Sequence, residues 1–466
     1  MSDQMTIAAA ADPASLPHAR SSAGAGEMES YFHALATALD RALHAGERYC
    51  ASFAAESTDF VRMNRGKVRQ PGHVAQRYLD VRLVQGARHA THALSLCGDL
   101  TQDEASVRAA LDALRGVLPD LADDPHLLLP DTVGSTRSVG ERRLPPSAAM
   151  VEAVLSAAAG EDLVGILAAG PVQRGFANER GQRNWHETTT FNLQWSLYHR
   201  ADKAVKSSYA GTTFDAGVLA ARMADARERL ALVRRPVKTL SPGSYRAYLA
   251  PSAMEEIAGV LTYGAFSGRA LATQQSGLSR MQAGATLDPR VFIDEDIEGG
   301  VAPCFQSEGF PRPPRVPLIA AGRLAGALVA PRTAREFDLA QNGANAAEMP
   351  ESLAMRGGEL PMADALAALD TGLAIGNLWY LNYSDRPACR MTGMTRFATF
   401  WVEHGRIVAP VQALRFDDTL FRMLGDNLLH LTRETELMLD PNTYGARMLT
   451  STSLPGAVLK DMAFTL

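Results

Sequence analysis

Tyr78-Leu79-Asp80-Val81-Arg82-Leu83-Val84-Gln85-Gly86-Ala87-Arg88-His89-Ala90-Thr91-His92-Ala93-Leu94-Ser95-Leu96 is the stretch that decides the fold class. Its first seven residues alternate apolar and polar, the period of a half-buried strand. Gln85-Gly86 supplies a turn, and the chain returns through His89 to Leu96. Directly afterwards Thr101 reads as a helix N-cap with Glu104 completing a capping box. Val107, Ala110, Leu111, Leu114 and Leu118 then recur at helical spacing. Strands followed at once by a helix with one apolar stripe predict a sheet covered on one face by helices, an α+β domain.

Upstream, Asp59 to Arg69 reads as two short extended runs around an Asn-x-Gly turn, in which glycine supplies the positive φ. Before it, Phe32, Leu35, Ala36, Leu39 and Leu43 give an amphipathic helix ending near Gly46, suited to pack on the sheet. Residues 1–27, rich in Ala, Ser and Pro without periodicity, read as a mobile arm. Downstream, strands resume at Val164, turn at 178–182, and continue with Phe191, Leu193, Trp195 and Leu197 alternating with polar residues. A long helix from about Asp215 to Val233 is stopped by Pro236. Beyond about residue 240 the texture becomes β segments punctuated by Gly and Pro. The expected division is therefore an arm (1–27), an N-terminal α+β domain (28–240) and a C-terminal domain (241–466). Gln341 to Met362 reads as a long loop.

The bulk numbers fit this division. A chain of 466 residues, 46% hydrophobic and 21% charged, supports about two globular domains. A net charge of −5 gives no global electrostatic reason to bind nucleic acid. No run approaches the roughly 18 apolar residues of a membrane span. The first residues lack the charged segment and apolar core of a signal peptide, so a cytoplasmic protein is expected. Cys50, Cys97, Cys304 and Cys389 show no C-x-x-C pairing, as expected of reduced thiols.

Five landmarks in the second half occur in one order: Gly243-Ser244-Tyr245-Arg246-Ala247-Tyr248-Leu249-Ala250-Pro251; a helix ending in Gly264-Ala265-Phe266-Ser267-Gly268; Phe305-Gln306-Ser307-Glu308-Gly309-Phe310-Pro311; Leu318-Ile319-Ala320-Ala321-Gly322-Arg323-Leu324; and Phe400-Trp401-Val402-Glu403-His404-Gly405-Arg406-Ile407-Val408-Ala409-Pro410-Val411. Together they resemble the TldD/PmbA family of metallopeptidases. The N-terminal half agrees more loosely, through the Arg62 to Gly66 turn, the strand of Val81 and Leu83, and the helix before Pro236. The resemblance implies a mainly β, barrel-like C-terminal domain.

It also implies where zinc should sit. Catalytic members of the family carry H-E-x-x-x-H on the helix after the Pro251 strand, two histidines holding the ion and the glutamate activating its water. Aligned on Ser267-Gly268, the equivalent positions are Gly259, Val260 and Gly264, and no histidine lies between His199 and His404. Glycine offers no ligand atom and valine no proton, so the pattern resembles the PmbA or TldE type of subunit, with zinc expected in a TldD-type partner and no cofactor in this chain. Phe305, Glu308, Gly309 and His404 stand as candidate contacts for peptide or partner.

Other signals are weaker. His186-Glu187 begins like a zinc motif but lacks a second histidine and sits on an expected strand. His89 and His92 are three apart on a strand and face opposite sides, one expected in the core and one at the surface. Cys304 has no histidine near in sequence and reads as a buried thiol. Ser267 lacks the G-x-S-x-G elbow. No G-x-x-x-x-G-K-[ST] or G-x-G-x-x-G occurs. Pro311-Arg312-Pro313-Pro314-Arg315 reads as a solvated basic turn, and Arg234-Arg235-Pro236 as cations favouring a helix C-terminus. The leading expectation is a catalytically silent subunit of a heteromeric zinc peptidase. The alternatives are a homodimeric peptide-binding scaffold and a metal-independent enzyme of a natural-product pathway on the same fold.

Overall fold

A computed structural model of the chain describes residues 26–200 and 203–465. All but the last two residues of the expected arm lie outside the described residues. In the first half, α1 (Glu27–Ala42) precedes β1 (Glu47–Asn64), β2 (Lys67–Gln85) and β3 (Arg88–Ser95). Next come α2 (Leu100–Val117), β4 (Thr136–Val139), α3 (Ser147–Ala157), β5 (Asp162–Asn178), β6 (Arg183–Arg200), β7 (Lys203–Gly211) and α4 (Ala216–Val233). The strands form one sheet in the order β3-β2-β1-β5-β6-β4, with β7 also paired to β6.

The two short runs expected at 59–69 are the ends of one long hairpin, in which Asn64 pairs with Lys67 and Glu47 with Gln85. Tyr78 to Val84 is the far half of β2, not a further strand. The near half of β2 is exposed or half-exposed on both faces, so it has no reason to alternate. Pro71 opposite Val61 breaks the pattern further. The N-cap of α2 is Asp99, whose carboxylate accepts from the Gln102 amide at 3.0 Å, in place of the expected Thr101. The stripe of Val107, Ala110, Leu111, Leu114 and Leu118 is buried as expected.

On one face of this sheet α1 and α2 cover Phe53, Leu79, Val81, Leu83 and Trp185. The Phe32 ring stacks on Phe53 at 5.1 Å and on Trp185 at 6.1 Å between centroids. A Cβ at Gly175 would lie 2.7 Å from that ring, so glycine is what lets α1 sit on β5. Burying an aromatic side chain in this way contributes roughly 1.5–3 kcal/mol. The helices α3 and α4 cover another patch, with Val61, Leu167, Phe191, Leu193 and Trp195.

The second half contains β8 (Gly243–Leu249), α5 (Pro251–Thr262), α6 (Gly268–Ala272), α7 (Ser279–Gln282), β9 (Ile293–Asp296), β10 (Arg315–Ala320), β11 (Arg323–Leu324) and α8 (Pro331–Phe337). It continues with β12 (Ser352–Met355), α9 (Ala365–Leu369), β13 (Gly372–Asp385), β14 (Arg390–Glu403), β15 (Arg406–Pro410), β16 (Arg415–Thr419), β17 (Leu428–Leu439) and β18 (Ser451–Phe464). Its sheet runs β11-β10-β9-β12-β18-β16-β14-β13-β8, and β18 pairs again with β8, so part of it closes into a ring. The whole is α+β, with a second sheet that is barrel-like. The expected loop at 341–362 contains β12, which lies between β9 and β18. Four residues with a single outward-facing side chain between buried ones carry too little pattern to read as a strand.

Inside the ring α5 buries Ala253, Met254, Ile257, Ala258, Val260 and Leu261. The core beneath α3 and α4 does not stop at the domain boundary, because Leu369 of α9 and Ala374, Ala398, Phe400 and Val402 of the second sheet pack into it. Among the described residues, no helix is long and apolar enough to cross a membrane.

Candidate functional site

Where the two sheets approach one another, α4, α5, β6, β7, β13 and β14 enclose a cavity of about 690 Å³. That is within the usual size of ligand sites. A second hollow of about 440 Å³ adjoins it and shares Gln194 and Lys206.

The chemistry of the cavity comes largely from α5. Pro251 suits the first helical position, since it has no N–H to leave unpaired, and the Ala250 carbonyl accepts from Ala253 and Met254. Ser252, Glu255, Glu256 and Gly259 are spaced i, i+3, i+4 and i+7 and share the face opposite the apolar one. Ser252, Glu255 and Glu256 line the cavity, and a Cβ at Gly259 would meet nothing within 4 Å. The Ser252 hydroxyl donates to the Gly376 carbonyl at 2.6 Å and ties the start of α5 to β13.

Glu255 and Glu256 are half-buried side by side, with protein on most sides and the cavity on the other. Burial, with the neighbouring Glu256 adding to it, pushes the Glu255 carboxyl up to about 7, against the pull of Lys206 on β7. Burial also raises Glu256, and Lys206 again opposes the shift. Elsewhere in the wall Arg222 and Arg229 are each matched to a carboxylate. Arg222 donates to Glu436 at 3.3 Å and to the Ser208 carbonyl at 3.2 Å, and Arg229 donates to Asp225 at 3.0 Å. Tyr248 is pushed up to about 12 by burial. Glu255 thus divides between acid and carboxylate near neutral pH, which suits it to exchange a proton or to receive a cation.

The candidates read from sequence lie elsewhere. Of the three positions aligned to the zinc motif, Gly259 is on the cavity face and Val260 is buried in the apolar core. Gly264 follows the end of α5 with φ 84°. Phe305 is 3% exposed and packs with Cys50, Val84, Leu129 and Phe176. Glu308 is ion-paired with Arg82. Gly309, at φ 86°, would put a Cβ 2.2 Å from the Phe176 ring, and its carbonyl accepts from Gln182 at 2.8 Å. These three residues join the C-terminal domain to β2, β5 and the β5–β6 turn. His404 stands apart at the β14–β15 turn, with its side chain 92% exposed and 3.8 Å from Asp370.

Arg312 corrects the reading of 311–315 as a solvated turn. It is 9% exposed and grips Glu351 through two contacts of 2.6 Å, while Asn345 donates to the same carboxylate at 2.9 Å. A nearby carboxylate is what draws the guanidinium inward. Neither histidine of β3 is in the core: His89 is half-buried against Asp124 at 3.0 Å and His92 is exposed. Cys304 is partly exposed. His186 lies near the start of β6, held to the Val301 carbonyl at 3.1 Å, and burial lowers it to about 4. Sequence reading missed Glu255, Glu256 and Lys206. A signal was present, since two adjacent glutamates interrupt an otherwise apolar helix.

The donor set of α5 does not fit a zinc ion held by two histidines, because its cavity face offers a hydroxyl and two carboxylates and no imidazole. Among the described residues no three His, Cys, Asp or Glu side chains converge to hold a metal ion.

Residues 242–466 match the family of the PmbA/TldA metallopeptidase C-terminal domain. No curated protein matches the sequence. Among solved structures, TldE from Thermococcus kodakarensis is similar at 13% identity and TM-score 0.75, covering 94% of this chain and 100% of that one. A protein from Thermotoga maritima, described as a candidate modulator of a DNA gyrase, is similar at 14% identity and TM-score 0.71, with the same coverages. One from Bacteroides thetaiotaomicron with a like description is similar at 15% identity and TM-score 0.72, covering 94% and 98%. At these identities the likeness is one of fold.

Proposed function

Through residues 242–466 the chain belongs to the TldD/PmbA family of metallopeptidase-related proteins, and from that premise we propose that it is the zinc-free subunit of a heteromeric peptidase. Its partner in this reading is a TldD-type chain that carries H-E-x-x-x-H, holds the zinc and cuts the peptide. The observation that carries the reading is α5 itself, which lines the cavity with Ser252, Glu255 and Glu256 and has glycine, Gly259 and Gly264, at the positions aligned to the histidine ligands. A helix so equipped can shape a peptide channel but cannot assemble the family's metal site. Tyr248 of β8, Pro251 and the polar face of α5 line the cavity.

The test is affinity capture of the full chain from its native host, with zinc and peptidase activity measured on what is captured. The expected result is a complex with an H-E-x-x-x-H chain, zinc bound to that chain, and loss of peptide cleavage when this chain is removed. Stoichiometric zinc on the isolated chain, together with cleavage by it, would overturn the proposal. A second reading, a metal-independent enzyme, is favoured by one observation, the Glu255 carboxyl poised near 7 in a sizeable cavity. Turnover by the isolated chain in the presence of a chelator, abolished by Glu255→Gln, would decide for it.

A further inference from the structure

The smaller hollow of about 440 Å³ lies on the face of the first sheet that is turned away from α3 and α4. Val61, Met63, Leu193 and Trp195 point to those helices, so the residues that alternate with them point the other way. Arg62 pairs with Ile166, Ile166 with Gln194, and Ser196 with Lys206, and paired residues share a face. The polar lining of the hollow is Arg62, Asn64, Arg69, Gln194, Ser196 and Lys206. Arg69 joins the others through a bulge: Val68 pairs with Met63 and Gln70 with Arg62, which leaves Arg69 between them without a partner strand residue. Bulges re-aim side chains in this way.

The charge of this hollow is one-sided. From Phe60 to Leu79 the sequence holds Arg62, Arg65, Lys67, Arg69 and Arg77 and neither Asp nor Glu, in a chain that is net negative. No carboxylate lines the hollow. Asp162 lies one pair further along the same face, opposite Tyr198 and outside the lining. Among the described residues, Arg62 and Arg69 have no ion pair and no side-chain hydrogen bond. Lys206 already faces Glu255 and Glu256 across the adjoining cavity, so the two guanidinium charges are what remains for a ligand. We propose that the hollow binds a phosphate group, as the monoester of a small molecule or as the free dianion, held by Arg62 and Arg69 with Lys206 at its edge. Two guanidinium forks with Asn64, Gln194 and Ser196 beside them offer more donors than the two oxygens of a carboxylate accept. The terminal oxygens and double charge of a phosphate match them. The inference lies outside the subunit reading and does not depend on it.

The experiment titrates the full chain with phenyl phosphate, inorganic phosphate and benzoate by isothermal titration calorimetry at pH 8, where the phosphates are dianions. At least one phosphate is expected to bind roughly tenfold or more tighter than benzoate, and which of the two binds tighter identifies ester or free ion as the source. The double substitution Arg62→Gln with Arg69→Gln is expected to weaken that binding roughly tenfold or more. It should leave the melting temperature unchanged, since both side chains are exposed. Arg65→Gln with Lys67→Gln takes two charges from the same turn but none from the hollow, and is expected to leave binding within about twofold. Equal loss in the two double variants would reduce the effect to diffuse attraction by a basic turn and overturn the inference. Equal affinity for benzoate, or no heat of binding from either phosphate, would overturn it as well. None of these outcomes bears on zinc or on capture of a partner, so the subunit reading stands or falls separately.

Discussion

Two groups of buried carboxylates lie where the two sheets of this protein meet, and they are treated in opposite ways. At one side, Glu351 is clasped by Arg312 and Asn345, and Glu295 accepts from the Glu351 and Ser352 amides at 2.9 and 3.2 Å. Arg447, 5% exposed, reaches across to the Gly170 and Thr190 carbonyls of the first sheet at 3.1 Å each. At the other side, Glu255 and Glu256 face open volume with a single lysine opposite. The first group has its hydrogen bonds made, all of them within the second half, and the bridge to the first sheet is Arg447. The second has none, and a buried charge kept without partners costs stability unless something arrives to satisfy it. Burial alone therefore does not mark function here; unanswered burial does.

The contrast can be broken most forcefully at the clasped side. Arg312→Met leaves Glu351 charged, buried and short of its main partner, and a loss of about 3–5 kcal/mol is expected in urea unfolding. Adding Glu351→Leu to it should restore most of that loss. If the single change costs under about 1 kcal/mol, the seam is not a structural clasp. A smaller loss, roughly 1–3 kcal/mol, is expected for Gly309→Ala, which pays for a left-handed backbone and must move the Phe176 ring.

At the open side the sign reverses. Glu255 is raised in the folded state from an ordinary value near 4.5, so the fold binds a proton more tightly than the unfolded chain does. Its contribution is whole below about pH 4.5 and is lost as pH rises to about 7. The charges facing it are Glu256 beside it, Lys206 on β7, Asp225, Glu228, Arg222 and Arg229 on α4, Glu436 on β17, and Asp440 just beyond β17. Glu255→Gln should therefore be neutral at pH 4.5 and stabilise by roughly 1 kcal/mol at pH 8, after allowance for water in the cavity. Melting temperatures at the two pH values check it, and an equal shift at both would show that Glu255 is not perturbed. The smallest effect is expected for Glu228→Gln on the exposed side of α4, within about 0.5 kcal/mol at any pH.

What could be read from the sequence follows the same division. The helices α1, α2 and α4 announced themselves because each buries one face against a sheet and exposes the other, and β6 did so through Phe191, Leu193, Trp195 and Leu197. The near half of β2, exposed on both faces, and β12, four residues long, left no period to find. The series of landmarks in the second half located β8, Pro251 and α5 and so pointed to the floor of the cavity. It did not point to Glu255 and Glu256, because the family's zinc motif aligns with Gly259, Val260 and Gly264, of which Val260 is buried in the apolar core and Gly264 lies beyond the end of α5. Lys206 had no local signature at all: its place opposite α5 depends on α4 and α5 arriving from other parts of the chain.

One feature of the second sheet bears on how the molecule comes into being. The ring is closed by β18, which pairs with β8 at its far end in sequence and also with β12, β16 and β17. While the chain is being made, β8 and α5 leave the ribosome some two hundred residues ahead of the strand that must cover them, and at ordinary elongation rates of about 5–20 residues per second they wait tens of seconds. During that wait the apolar face of α5 has no ring around it. The first sheet, whose β1–β2 and β5–β6 hairpins are local, can form early, whereas the core around α5 is completed only when the last strand arrives.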